Sequence, residues 1–202
     1  MKPSLKICGM KYNVVEVAAL NPDYLGFIFY DKSPRNYDQS IPEISEDIKK
    51  VGVFVNENIT LLEEKIIENK LDVIQLHGEE TPDYIAQIKA KVEIWKVFSV
   101  GDTFDFNQLK PFENLVSKFL FDTKGKNKGG NGFVFNWDIL QQYSSKKPFI
   151  LSGGIGLNEL QAIKNLIQKY DLPIHAIDVN SKFEDKPGLK NITKLKQFTN
   201  EF

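Results

Sequence analysis

The chain holds one cysteine, and it stands two residues after a lysine, in Lys6-Ile7-Cys8. A thiol starts from a pKa of about 8.5, and a neighbouring cation favours its thiolate, which can act as a nucleophile or a general base. Other polar groups follow at wide intervals: Gln75 and His77 in IQLHG, Asp122 in LFDTKG, Asp178 in AIDVN. Asp122 is the natural acid partner of Cys8, provided burial keeps it protonated. An acid and a base facing one small site suit an isomerisation, in which one group gives a proton and the other takes one. A further stretch, Phe149–Gly156 (FILSGGIG), begins apolar, drops into Ser152-Gly153-Gly154 and leads into a segment of helical spacing. A strand that ends in paired glycines before a helix is a phosphate-binding device. Backbone N–H groups approach the anion with no Cβ in the way, and the helix N-terminus adds a favourable dipole.

Groups so far apart along the chain need a scaffold that gathers them. β-Branched and aromatic runs predict strands near Leu5–Cys8, Tyr24–Phe29, Val51–Val55, Val73–His77, Ile94–Phe98, Phe119–Asp122, Phe149–Ser152 and Ala176–Val179. Between them lie segments of helical period. Ile59, Leu62, Ile66 and Ile67 are expected on one buried face and Leu160, Ile163 and Ile167 on another, while Thr81-Pro82 reads as an N-cap followed by Pro at the first helical position. Eight alternations at spacings of roughly 20–30 residues predict parallel βαβ units closing into a single (β/α)8 TIM barrel over residues 1–202. A doubly wound open sheet is the alternative.

Alternate residues of a barrel strand face the lumen. Lys6, Cys8, Gln75, His77, Leu120, Asp122 and Asp178 are therefore expected inward, and Leu5, Ile7, Ile74, Leu76, Phe119, Phe121, Ile177 and Val179 toward the helices. The polar inward set converges on the carboxyl ends of strands, where a barrel carries its active site. Lys6 and Asp178 should pair, because closure makes the first and eighth strands neighbours and an unpaired buried charge is costly. His77 reads either as a substrate contact or as a hydrogen-bonded wall. Trp95 and the phenylalanines read as core. The loop Lys124–Phe133 (KGKNKGGNGF), directly after a strand, reads as a mobile active-site flap.

Composition narrows the partners. Lys and Arg number 26 against 27 Asp and Glu, so nothing in the charge balance points to nucleic acid or an anionic membrane. No apolar run reaches the ~18 residues of a membrane span, and the N-terminus lacks a signal-peptide pattern. A lone cysteine excludes an intrachain disulfide and fits a reducing cytoplasm.

Seven motifs, in order and spanning nearly the whole chain, carry a resemblance: KICGM at Lys6–Met10, GFIFYDKSPR at Gly26–Arg35, VGVFVN at Val51–Asn56, IQLHG at Ile74–Gly78, LFDTKG…GGNGFVFNW at Leu120–Trp137, LSGGI at Leu151–Ile155 and DVNSKFEDKPGLK at Asp178–Lys190. Together they resemble the phosphoribosylanthranilate isomerases of tryptophan biosynthesis. The resemblance implies an Amadori rearrangement of N-(5-phosphoribosyl)anthranilate to 1-(2-carboxyphenylamino)-1-deoxyribulose 5-phosphate. It implies Asp122 as general acid at the furanose ring oxygen and Cys8 as general base at sugar C2. No metal or organic cofactor is implied, because the substrate's own nitrogen serves as electron sink. Arg35 matches the arginine that faces the anthranilate carboxylate, and Pro34 before it stiffens the loop. The phosphate is expected between the Gly153-Gly154-Ile155 turn and the loop at Asn180 and Ser181, held mostly by backbone N–H groups. The flap would be Gly129, Gly130, Asn131 and Gly132. The resemblance allows a monomer or a homodimer, with the monomer as default.

Two places depart from the family pattern. DVNSKFE stands where DVSSGVE is common, putting Lys182 at a glycine position that would strain it if φ were positive. Asn131 stands where the flap commonly has Thr. Two other sugar-phosphate barrel enzymes compete as readings. Indole-glycerol-phosphate synthase would want a Lys and Glu pair at strand ends, and the histidine-pathway isomerase an Asp in place of Cys8. A barrel that binds a phosphorylated ligand without turning it over is a third reading.

Overall fold

The computed structural model describes residues 2–101, 103–123 and 136–202. Eight parallel strands close into a barrel in sequence order: β1 (Ser4–Cys8), β2 (Tyr24–Phe29), β3 (Lys49–Phe54), β4 (Val73–Leu76), β5 (Glu93–Val100), β6 (Lys118–Thr123), β7 (Phe149–Leu151) and β8 (Ile174–Val179). The seam between β1 and β8 sets Lys6 opposite Asp178, and Cys8 stands opposite Gly26 of β2. The open-sheet alternative is excluded by this closure. All eight strand positions expected from the sequence are occupied.

The strands' inner and outer faces divide the apolar residues into two cores. Val51, Val73, Trp95, Leu120, Ile150 and Ala176 belong to a buried cluster inside the barrel, while Leu5, Ile7, Phe119, Phe121, Ile177 and Val179 belong to the larger cluster outside it. The lumen is thus packed below, and the polar inward residues lie above the packing, toward the strands' carboxyl ends. His77 and Ser152 fall just past β4 and β7, yet their N–H groups still donate to Phe54 and Phe121 carbonyls at 2.8 and 2.9 Å.

The outer layer corrects the expectation of eight helices. Among the described residues the α-helices are α1 (Val14–Ala18), α2 (Ile59–Asn69), α3 (Pro82–Ala86), α4 (Leu160–Lys169) and α5 (Ile192–Glu201). The β2–β3 crossover has none. Pro34 and Pro42 interrupt it, and the buried Tyr37 covers the strand instead, its ring 4.9 Å from that of Phe27. The β5–β6 and β6–β7 crossovers carry 3-10 turns at Phe106–Phe112 and Trp137–Gln142, the first containing Pro111. Ile67 is 76 % exposed, a correction to its expected buried face; α2 buries only the narrower stripe of Leu62 and Ile66. In α4, Leu166 completes the buried face with Leu160 and Ile163, and Ile167 lies at its margin. Thr81 caps α3 as expected, accepting from Tyr84 N–H at 3.2 Å with Pro82 at the first turn. A hairpin of β9 (Glu184–Lys186) and β10 (Leu189–Lys190) follows β8 and was not foreseen. No described helix is long and apolar enough to cross a membrane.

Candidate active site

A cavity of about 610 Å³ opens at the carboxyl ends of the strands. Cys8, Arg35, Gln75, His77, Asp122, Ser152, Gly153, Gly154, Ile155, Asp178, Asn180 and Ser181 all line it, so nearly every residue singled out from sequence meets in one place. Lys6 is the exception. It is fully buried beneath the cavity, its Nζ 2.9 Å from Asp178 Oδ1. The expected flap, Gly129, Gly130, Asn131 and Gly132, lies outside the described residues.

Cys8 owes its place to a gap. A Cβ on Gly26 would sit 2.8 Å from Cys8 Sγ and 3.1 Å from Cys8 Cα, so only glycine on β2 leaves room for the thiol. Burial pushes the thiol's pKa up. Lys6 and Lys190 pull it down, Asp178 adds to the rise, and burial wins. Lys6 acts in the expected direction, favouring the thiolate, but burial outweighs it. Burial disfavours the Lys6 ammonium too, but Asp178 and Cys8 beside it outweigh that cost and its pKa is raised. Ser152 Oγ donates to the other Asp178 oxygen at 3.2 Å, which completes the carboxylate's shell.

Asp122 enters from β6, three strands from β1 around the barrel. Its Oδ1 accepts from the Thr123 N–H at 2.9 Å, and its Oδ2 lies 3.4 Å from His77 Nε2. His77 Nδ1 in turn lies 3.5 Å from Gln75 Nε2. A proton on His77 Nε2 fits both neighbours, with Nδ1 accepting from Gln75 and Nε2 donating to Asp122. Gln75 Oε1 is buried and has no hydrogen-bond partner among the described residues, an acceptor at the wall of the cavity.

The Gly-Gly turn is built as the sequence suggested. Gly153 and Gly154 have φ of +91° and +68°. A Cβ on Gly153 would fall 2.2 Å from Thr123 Oγ1 and 2.4 Å from Thr123 N, so the turn is seated directly on the residue after Asp122. Gly156 N–H is taken by Glu159 Oε2 at 2.8 Å, which leaves Gly153, Gly154 and Ile155 as the segment facing the cavity. At Lys182 the condition for strain is not met. The residue lies in a 3-10 turn, Ser181–Phe183, and is not among the positive-φ residues, so the lost glycine costs no strain.

Arg35 also holds a carboxylate of the protein itself. Its Nε and one Nη donate to both Glu184 oxygens, at 2.6 to 3.0 Å. Of five guanidinium N–H groups, this leaves the end-on edge formed by the two Nη atoms without a partner among the described residues and able to meet a second carboxylate. Burial pushes the Glu184 carboxyl up, but hydrogen bonds from Arg35, Lys190 and the Gly188 N–H hold its pKa below the ordinary glutamate range. Sequence reasoning missed Glu184, Lys190 and Gly26, although all three stand inside quoted motifs; a role read through another side chain leaves no spacing signature. Tyr30 and Lys32, which also line the cavity, share the Arg35 motif.

Fold and site define the class: a (β/α)8-barrel enzyme with its chemistry at the carboxyl ends of the strands. The sequence profile described as N-(5'phosphoribosyl)anthranilate (PRA) isomerase matches residues 5–201. The N-(5'-phosphoribosyl)anthranilate isomerase of Parabacteroides distasonis is 42% identical over 204 residues, covering 96% of this chain and 90% of the relative. Among solved structures, the phosphoribosyl anthranilate isomerase of Thermotoga maritima superposes with a TM-score of 0.84 at 26% identity, covering 99% and 98% of the two chains. Another, solved with reduced 1-(o-carboxyphenylamino)-1-deoxyribulose 5-phosphate, gives a TM-score of 0.79 at 25% identity over 99% and 98%. The chain belongs to the PRA isomerase family.

Proposed function

We propose that Asp122 and Cys8 divide the proton transfers of N-(5'-phosphoribosyl)anthranilate isomerisation between them. The chain carries out its family's reaction, and what supports these roles is that a carboxyl and a thiol from non-neighbouring strands face one cavity. Asp122 gives a proton to the furanose ring oxygen. The C1–O bond breaks, and the anilino nitrogen's lone pair forms a cationic Schiff base. The Cys8 thiolate then takes the C2 proton, and the electron pair moves to nitrogen as an enolamine. That species becomes the ketone by taking a proton at C1 and losing one from the C2 hydroxyl.

The cationic Schiff base puts a positive charge near Cys8, so the thiol gives up its proton to solvent more readily and the thiolate that burial disfavours forms at the step that needs it. His77, held between Gln75 and Asp122, orients the acid. The open edge of Arg35 takes the anthranilate carboxylate, and the Gly153–Ile155 turn with Asn180 and Ser181 takes the phosphate. The reaction calls for no metal or organic cofactor. A reducing cytoplasm suits the lone base thiol, and a monomer is the working assembly, checked by mass measurement in solution.

Incubating the chain with phosphoribosylanthranilate and following its fluorescence tests the reaction. Decay of the anthranilate-type signal is expected. Thermal stabilisation by the substrate without decay would instead favour a barrel that binds and does not turn over.

A further inference from the structure

Lys190 is a buried cation to which the mechanism gives no role. It is 2 % exposed, and its Nζ is 2.7 Å from Asn180 Oδ1, 2.8 Å from Glu184 Oε1 and 3.5 Å from the Asn180 carbonyl oxygen. Its backbone is fixed as well. The N–H donates to Asn13 Oδ1 at 3.0 Å and the carbonyl accepts from Asn13 Nδ2 at 2.9 Å, which ties β10 to the start of α1. An ammonium with three donors held at both ends is a rigid point from which others can be placed.

What it places are the two ends of the cavity. Through Glu184 it reaches Arg35, on the loop after β2. Through Asn180 it reaches the residue directly after β8, next to Ser181. The two arms converge on Gly9, the residue after Cys8. A Cβ there would fall 2.5 Å from Asn180 Oδ1 and 2.8 Å from Arg35 Cδ. Glu184 alone could neutralise Lys190; the contacts to Asn180 are what join the loop after β8 to the Arg35 arm.

We propose that Lys190 is a positioning residue that sets the span between the carboxylate-binding edge of Arg35 and the phosphate-side loop at Asn180 and Ser181, and so selects ligands that carry two anionic groups at one separation. This rests on the functional reading above. Reduced 1-(o-carboxyphenylamino)-1-deoxyribulose 5-phosphate carries both anions and serves as the two-ended probe; inorganic phosphate and anthranilate serve as one-ended probes.

Calorimetric titration of the full chain is the test, on wild type, Lys190→Met, Arg35→Ala and the double variant. Lys190→Met is expected to weaken the two-ended probe by about 30-fold and inorganic phosphate by less than about 3-fold, because misplacement costs most where two contacts must be met at once. In the Arg35→Ala background the same replacement should cost less than about 3-fold more, since residues acting through one network are not additive. KM for the substrate should rise by a similar factor to the two-ended probe. Equal losses for both kinds of probe, or independent multiplicative losses in the double variant, would overturn the proposal. Should Lys190→Met not fold, Glu184→Gln cuts the Arg35 arm at constant volume and must show the same split between probes; without it the proposal falls. A wild-type chain that binds phosphate but not the two-ended probe would overturn the functional reading itself.

Discussion

Cys8, the proposed base, sits in an environment that works against its charge. Burial raises its pKa and two lysines only partly offset that rise, so the unliganded site favours the neutral thiol. Alkylation of the chain by iodoacetamide should therefore be slow at neutral pH and rise only above the range in which an ordinary thiol titrates. A plateau already reached at pH 7 would show a resident thiolate. Glu184 works in the opposite sense. Its pKa is lowered in the fold, so its stabilising contribution is whole above the ordinary glutamate range and is lost as pH falls through the folded value. Below pH 4.5 the melting temperature of the wild type should drop more steeply than that of Glu184→Gln. Parallel curves would mean that Arg35 and Lys190 do not hold this carboxylate. Inward-facing residues of the sequence could be assigned by alternation alone, which is why Cys8, Gln75 and Asp122 were legible. Glu184 was not, because it acts at the cavity only through the guanidinium it orients.

At the scale of elements, each strand delivers one or two groups, and its neighbours must make room. Gly26 on β2 does so for Cys8. Gly26→Ala puts a carbon 2.8 Å from Sγ, so the thiol must shift. A shift of about 1 Å at a reacting atom is worth roughly 10²-fold, and kcat should fall by that order while the chain still folds. Wild-type kcat in this variant would mean that the thiol's exact place is immaterial. The strands were readable because their β-branched runs are long and periodic. The helical layer was less so: prolines at 34, 42 and 111 break crossovers that then use aromatic packing or 3-10 turns. The β9–β10 hairpin escaped notice because its strands are three and two residues long, too short for any alternation to register.

The whole molecule is a ring, and the β1–β8 seam is where it closes. The buried Lys6–Asp178 pair lies on that seam, with side chains 0% and 5% exposed. Asp178→Asn strands an ammonium in the lumen, and breaking such a pair costs about 3–5 kcal/mol, measurable as a lower urea midpoint. An unchanged midpoint would remove the pair from the account of closure. The ring also explains why residues 8 and 122 can share a site: β1 and β6 are separated by only β7 and β8 around the circumference, and both end at the same rim. That meeting of thiol and carboxyl is the central claim, and initial rates with phosphoribosylanthranilate test it most directly. Cys8→Ser and Asp122→Asn should each lose about 10²–10⁴-fold in kcat while keeping wild-type affinity for inorganic phosphate. Near-normal turnover in either variant, with the fold intact, would contradict the assignment.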